Sequence, residues 1–522
     1  MKNKIMSVRE AIDLVKDGDT LGVTGAGMRG NPEFLLKTLE DKYLETQTPK
    51  NLTLFSVVGH GAFDHRGDSR LSHKGLLGKA IVSHPDTNPE LRDAIQNNDM
   101  LAYIFPQGVS SQLLRSISVG QPGYITKIGL GTYLDPRIEG GKGNDITKEK
   151  GEDLIEYVNI NNEDYLMYKS FPIDVAFIRC TTADLRGNIS MEHECNRLEF
   201  FELANAVKSC GGKVIVQVKR VVEVGTIHPQ RVVIPHVLVD AIVVCDDWEN
   251  YHMMNDNVKF NEAFCGNLRV PLKSTSTGFS VGKPGAQTVI ARRSCMELFP
   301  GAVINLGWGI PAGIGAVAEE EDIIDTLTMT VELGVFGGVP GKFPNFGAVV
   351  NADAVIPMAN MFDFYNAGGL DVACLGGAQV DADGSVNASK FGTRVSGPGG
   401  FVDITTSSPK VVICTQFMGK AEVEVIDGQV KVVKEGTIRK FINKLDQITF
   451  NGKYTTEKDV TYVTERGVFK LINGKMVLIE IAPGIDLEKD ILAQMDWQPE
   501  ISKDLKVMDA RIFKEGPMNY FK

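Results

Sequence analysis

The second half of the chain has no histidine: all eight lie at or before His252. Chemistry placed there is therefore not carried by a local imidazole. In the first half, His60, His65, His73 and His84 share a loop-rich region without a tight ligand pattern such as HExxH. Cysteine is present but unpatterned, with eight residues (180, 195, 210, 245, 265, 295, 374, 414) and no CxxC pair. That spacing argues against a zinc site and a disulfide framework and for buried free thiols in a reducing cytoplasm. No apolar run approaches the roughly 20 residues of a membrane span. The opening MKNKIMSVREAIDLVKDGDTL is basic at first but lacks the apolar core of a signal peptide. It reads instead as an amphipathic helix carrying Ala11, Ile12, Leu14 and Val15. Basic excess is missing too: 55 Lys and Arg face 66 Asp and Glu, a net charge of −11, which argues against a nucleic-acid partner.

What is present is an ordinary globular composition, 43% apolar and 23% charged over 522 residues, long enough for roughly two to four domains. Thr20 to Thr24 reads as a strand, followed by the loop Gly25-Ala26-Gly27-Met28-Arg29-Gly30-Asn31-Pro32 and a helix from Glu33. Strand, glycine turn and helix in that order resemble an anion-cradling turn. GAGMRG matches GxGxxG, yet Pro32 starts a fresh helix and no acidic strand end follows about 20 residues on, unlike a nucleotide fingerprint. Further strands are read in NLTLFSVV, MLAYIF, FPIDVAFIRC, GGKVIVQVKRVV and AIVVC. Pro106-Gln107-Gly108 reads as a turn before a helix, Tyr133 to Glu163 as an exposed excursion, and TTADLRGNIS as a loop before a helix over 199–209. Alternating strands and helices of these lengths predict an α/β fold with doubly wound, mostly parallel sheets.

Residues 273–287, KSTSTGFSVGKPGAQ, turn small and polar and read as a linker between halves 1–272 and 288–522. After it the pattern of the start returns: helix TVIARRSCMELF, then the strand and GxG of GAVINLGWGIP. DLRGNIS (184–190) is likewise echoed by DADGSVN (381–387), so the halves are expected to share one fold. In Thr326 to Pro340, TLTMTVELGVFGGVP, a β-branched run reaches one carboxylate, Glu332, before Gly334, Gly337 and Gly338. A carboxylate at the carboxyl end of such a strand points into the crevice where α/β sheets bind ligands. From Gly334 to Gly400 there are 14 glycines, which suggests backbone lying close to a ligand, with tight turns as the competing explanation. Glu192, Glu194 and Glu319–Glu321 read as surface charges.

DGDTLGVTGAGMRGNP and TVELGVFGG, with PQG at 106–108, SKFGTRVSGPGGFVDIT at 389–405, and VTERGVFKL and IAPGID near the end, resemble the family I coenzyme A transferases with both halves fused. Thr24-Gly25-Ala26 stands where Gly-Gly-Phe is usual in that family, and Leu333 replaces the small or Asn residue more often seen there. The resemblance implies CoA transfer between an acyl-CoA and a free carboxylic acid, with Glu332 as nucleophile and CoA as substrate rather than resident cofactor. Neither a metal nor another cofactor is implied. By the same resemblance Gly400 supplies an oxyanion donor and Gln107 positions the substrate carboxylate. Gly25 and Gly27 shape the acyl pocket, Gly307, Gly309, Gly337 and Gly338 line a CoA channel, and Asn387 and Lys390 meet its nucleotide part. Short-chain acids and a homo-oligomer, dimer or tetramer, are implied as well. An acyl-CoA hydrolase on the same scaffold, a sugar-phosphate isomerase of related fold and a non-catalytic acyl-CoA sensor are the alternatives.

Overall fold

Thr20–Val23 occupies the middle of a seven-stranded sheet, flanked in parallel by Leu52–Ser56 and Val175–Arg179. The computed structural model describes residues 4–271, 281–341, 345, 347–455 and 457–522. From Leu52–Ser56 the chain extends the sheet through Leu77–Val82 and Leu101–Ile104. It then crosses to the other side, through Val175–Arg179, Lys213–Val218 and Ala241–Val244, every pair parallel. The run VAFIR is buried at each position, as expected for a strand covered on both faces.

A second sheet repeats the plan. Val303–Leu306 lies between Thr328–Val331 and Val372–Gly376, and Lys410–Cys414 and Asp459–Val463 follow, all in parallel. The order 52, 20, 175, 213, 241 of the first sheet returns as 328, 303, 372, 410, 459 in the second. Antiparallel strands extend both ends of that core, and Glu500–Val507, parallel to Lys475–Ile481, brings the sheet to ten strands. In each half the winding reverses beside the first strand, which opens a crevice beyond the carboxyl ends of the strands. Gly25–Gly27 and Gly307–Gly309 follow those two first strands.

The sequence echo has a structural counterpart. TTADLRGNIS is a hairpin rather than a loop, pairing Thr182–Asp184 with Ile189–Ser190, and Gln379–Val380 pairs with Val386–Asn387 in the same way. Asp184 Oδ1 accepts from the N–H groups of Arg186, Gly187 and Asn188, and Asp381 Oδ1 from those of Asp383 and Ser385. In both turns an aspartate satisfies the backbone that the reversal leaves unpaired.

Other expectations are corrected. Tyr133, in the supposed excursion, is buried and donates from Oη to Ile104 O at 2.9 Å. Glu194 is no surface charge: it pairs with the buried Arg179 at 2.6 Å and with His252 at 3.1 Å. Burial opposes its ionisation, but Arg179 and His252 hold its carboxyl at about 2. Glu321 is buried and accepts from the N–H groups of Asn519 and Tyr520 at 3.1 and 2.7 Å. The second-half helix begins at Ala286, inside the segment assigned to the linker, of which residues 273–280 lie outside the described residues.

The halves are locked at the start of helix Gln107–Ser118. Gln107 N–H donates to Gly399 O and Gly108 N–H to Asp403 Oδ2, both at 3.0 Å, so the other half satisfies donors a helix start leaves open. A side chain at Gly108 would sit 2.4 Å from Phe362 Cδ1, so only glycine admits this approach. Burial pushes the Asp403 carboxyl from its ordinary 3.8 up to about 7, against the N–H groups of Gly108 and Val109. Since the folded value lies above the ordinary one, folding takes up a proton between these two values. Stability is therefore lost as the pH rises across that window and levels off above it. Asp403→Asn keeps an acceptor for Gly108 and cannot ionise, so it should remove this share of the slope. Urea melts of both proteins between about pH 5 and pH 8 test this: the wild type loses more stability than the variant.

Candidate active site

Glu332 ends strand Thr328–Val331 and sits in the tight turn that returns as Val335–Phe336. Gly334 closes the turn, its N–H bonded to Val331 O at 3.0 Å and its φ at +96°. The turn delivers the carboxylate to a cleft of about 170 Å3 between the halves. One wall comes from the Gly27–Arg29 turn and the loop 58–63, the other from Trp308 and Glu332, with His84, Thr87, Asn255 and Asp256 between. Most of these residues follow the carboxyl ends of strands in the two sheets.

Glu332 is half-buried, but its carboxyl lies deep enough that desolvation dominates. Burial pushes its pKa above 4.5, opposed by its own backbone N–H, the charge of Arg29 and a hydrogen bond from Asn305. Asn305 is itself fixed from behind: Nδ2 donates to Thr330 O and Tyr365 Oη, both at 3.3 Å, and Tyr365 donates to Thr330 Oγ1 at 2.8 Å. Gly400 faces the same carboxylate, since a side chain there would come within 3.6 Å of Glu332 Cγ. Gly25 stands one step back. Its N–H donates to Glu199 Oε1 at 3.1 Å, and a side chain would meet His60 at 3.2 Å. Glu199 is buried, which pushes it up to about 7 against the nearby His60. Burial lowers the His60 imidazole, but Asp68 outweighs it, so the net shift is upward.

A family model for coenzyme A transferase matches residues 5–245. The caffeate CoA-transferase of Acetobacterium woodii is 46% identical over 519 residues, 98% of each chain. The chain belongs to the coenzyme A transferase family. It is a fused, single-chain enzyme of family I. The acetate CoA-transferase YdiF of Escherichia coli O157:H7 is 42% identical over 99% of this chain and 96% of its own. The acyl-CoA transferase YdiF of that organism, solved as a thioester complex with CoA, superimposes with a TM-score of 0.91 at 41% identity, covering 99% of this chain and 98% of that one.

The expected site residues of the transferase divide in three. Gly400 packs beside Glu332 Cγ, and Glu332 and Gly27 line the cleft. Gln107 and Gly25 lie behind it: Gln107 is buried, with Nε2 3.0 Å from Met358 Sδ. The others are not among the residues lining the cleft. Gly337 and Gly338 have φ of +67° and +74°, and side chains there would strike Asp353 at 2.0 Å and Val350 O at 2.4 Å. Gly307 bonds to Cys374 O at 2.8 Å, while Gly309 has φ of +84° and open space beside it. Asn387 is buried, donating to Gln379 Oε1 at 2.6 Å and accepting from the N–H groups of Ser389 and Lys390. It shapes the turn that carries the half-buried Lys390.

Several cleft residues were not singled out from sequence, among them His84, Phe63, Trp308 and Arg29. His84 shows that a histidine-free second half does not make a histidine-free site; burial lowers its pKa, and its Nδ1 has no partner among the described residues. Phe63 and Trp308, from opposite halves, meet with ring centroids 5.9 Å apart. Phe63 does so at φ of +60°, a conformation rare for an aromatic residue. Arg29 stood inside the quoted glycine motif, where a charged residue in an anion-cradling turn was the available signal.

Proposed function

We propose that this coenzyme A transferase moves CoA between short-chain carboxylic acids through a thioester on Glu332. The observation that carries the reading is the placement of a carboxylate, with no ion pair among the described residues, on a tight turn in a cleft made by both halves. A Glu332 oxygen attacks the acyl-CoA carbonyl, and the C–S bond breaks with its electron pair leaving on sulfur, giving a mixed anhydride and CoA thiolate. The thiolate then attacks the glutamyl carbonyl, releasing the acid and leaving glutamyl-CoA. An incoming carboxylate reverses these steps, so the kinetics are ping-pong. No proton is transferred, which suits a site whose histidine is held neutral. The N–H of Gly400 serves the oxyanions of the tetrahedral intermediates, and Gln107 aligns the substrate from behind.

Short-chain substrates are supported by the small cleft and by the acetate CoA-transferase relatives. The caffeate CoA-transferase relative extends the range considered to aromatic acids. Residues 1–272 and 288–522 are the two halves of the enzyme in this reading. A cytoplasmic homo-oligomer completes it, supported by eight unpaired cysteines and by exposed apolar side chains such as Val119 and Val237.

Intact mass spectrometry after mixing with propionyl-CoA, without acceptor, is the test. A hydroxylamine-sensitive gain equal to CoA less water is expected. Its absence with several acyl-CoAs would reject the covalent route, and free CoA accumulating without acceptor would instead make the protein a hydrolase.

A further inference from the structure

Arg29 is a buried cation with little to hold it. The residue is 8% exposed and lines the cleft, yet its side chain makes one hydrogen bond among the described residues, from Nη1 to Asn255 Oδ1 at 3.1 Å. Its Nε is buried without a partner, and no ion pair involving it lies within 4.0 Å among those residues. Candidate partners are committed elsewhere: Asp256, also in the cleft, is paired with Arg66 at 2.6 Å, and Glu194 with Arg179. The backbone around Arg29 is fixed, with its N–H bonded to Ala26 O at 3.1 Å and its carbonyl accepting from Ala26 N–H at 2.9 Å. On the far side Gly347 makes room, since a side chain there would come within 3.1 Å of Nη2. A guanidinium kept out of water without a carboxylate is costly, and a ligand bringing one removes the cost.

Resting on the covalent reading of Glu332, we propose that Arg29 is the acid-binding residue of the enzyme, receiving the carboxylate of the acceptor once Glu332 has become a thioester. The charges follow one another through the cycle. In the free enzyme the negative charge near Arg29 is Glu332 itself. Conversion to glutamyl-CoA replaces the carboxylate oxygen by sulfur and removes that charge, leaving Arg29 uncompensated and ready for a carboxylate anion. When the acid attacks the thioester carbonyl, the electron pair of the broken C–S bond leaves with CoA, and the charge passes to the thiolate. When the thiolate takes the acyl group from the mixed anhydride, the charge returns to Glu332. At every stage one anion faces one cation. Acid binding is thus switched on by formation of the intermediate, and the ligand class is a small monocarboxylate.

The test compares a charged and an uncharged nucleophile on glutamyl-CoA enzyme loaded with propionyl-CoA and freed of small molecules. Arg29→Gln should discharge about 100-fold more slowly than wild type with subsaturating propionate, and at the wild-type rate with neutral hydroxylamine. Arg29→Lys should recover part of the propionate rate. Methanesulfonate, an unreactive anion, should slow propionate discharge of the wild type and not of Arg29→Gln. Equal losses with both nucleophiles, or an undiminished propionate rate, would overturn the assignment. If Arg29→Gln does not load, the wild-type methanesulfonate experiment decides, and absence of inhibition overturns it. No thioester on the wild-type chain would sink the Glu332 reading and this one together, whereas a loaded variant indifferent to the loss of charge sinks this one alone.

Discussion

Glu332→Ala is expected to lower CoA transfer by about 10,000-fold or more and to abolish the CoA adduct, while the melting temperature stays near that of the wild type. The reaction needs a nucleophile whose product is itself an acyl group able to hold CoA, and a methyl side chain cannot supply it. The other acid lining the cleft, Asp256, is tied to Arg66. The fold is spared because the Glu332 side chain stands in a turn facing a cleft, so its removal takes a nearby charge from Arg29 but breaks no ion pair within 4.0 Å among the described residues. Steady-state rates with propionyl-CoA and acetate, together with a thermal melt, separate loss of chemistry from loss of structure. A variant retaining a tenth of the activity would assign the nucleophile elsewhere.

Gly334→Ala should be damaging in both respects. A side chain at this position would lie 2.1 Å from Ile356 O, and the backbone angle of +96° is strained for any residue but glycine. Clash and strain together are expected to cost about 3 kcal/mol or more. Relief can come only by moving the turn, which carries Glu332 two residues away, and displacement of a reacting atom by about 1 Å costs about 100-fold in rate. Gly309 provides the comparison. It has a similar φ, +84°, but open space beside it, so Gly309→Ala should carry only the dihedral cost. Chemical denaturation and kcat for both variants check this: equal losses at the two positions would remove the argument from the Ile356 contact.

The features legible in the sequence are those written in contiguous residues. Strand, glutamate and glycine series in TVELGVFGG announced the strand and the turn that place Glu332, and the echo of DLRGNIS in DADGSVN announced two halves of one design, though not that each echo is a hairpin. Features made by residues distant in sequence were hidden. Nothing local distinguishes Glu194 from a surface acid; its partners Arg179 and His252 arrive from other elements, and only the folded chain shows them together. Asp403 capping a helix of the other half, and His84 in the cleft of a glutamate some 250 residues on, are hidden for the same reason. The turn that Asn387 builds with Gln379 and Ser389 was hidden likewise, because nothing in the motif itself shows which partners the side chain takes.

The repeated strand order also bears on stoichiometry. The strand that delivers Glu332 corresponds in the first half to Leu52–Ser56, which is followed by Val57 and Val58 rather than an acid. Under the proposed roles of Glu332 and Arg29, two halves built alike divide into a reacting copy and a receiving copy, with the glycine turn and Arg29 in the latter. On the proposed thioester route, each chain of 57.0 kDa carries one equivalent of covalent CoA, not two, and the burst of product in a first turnover counts polypeptides rather than domains.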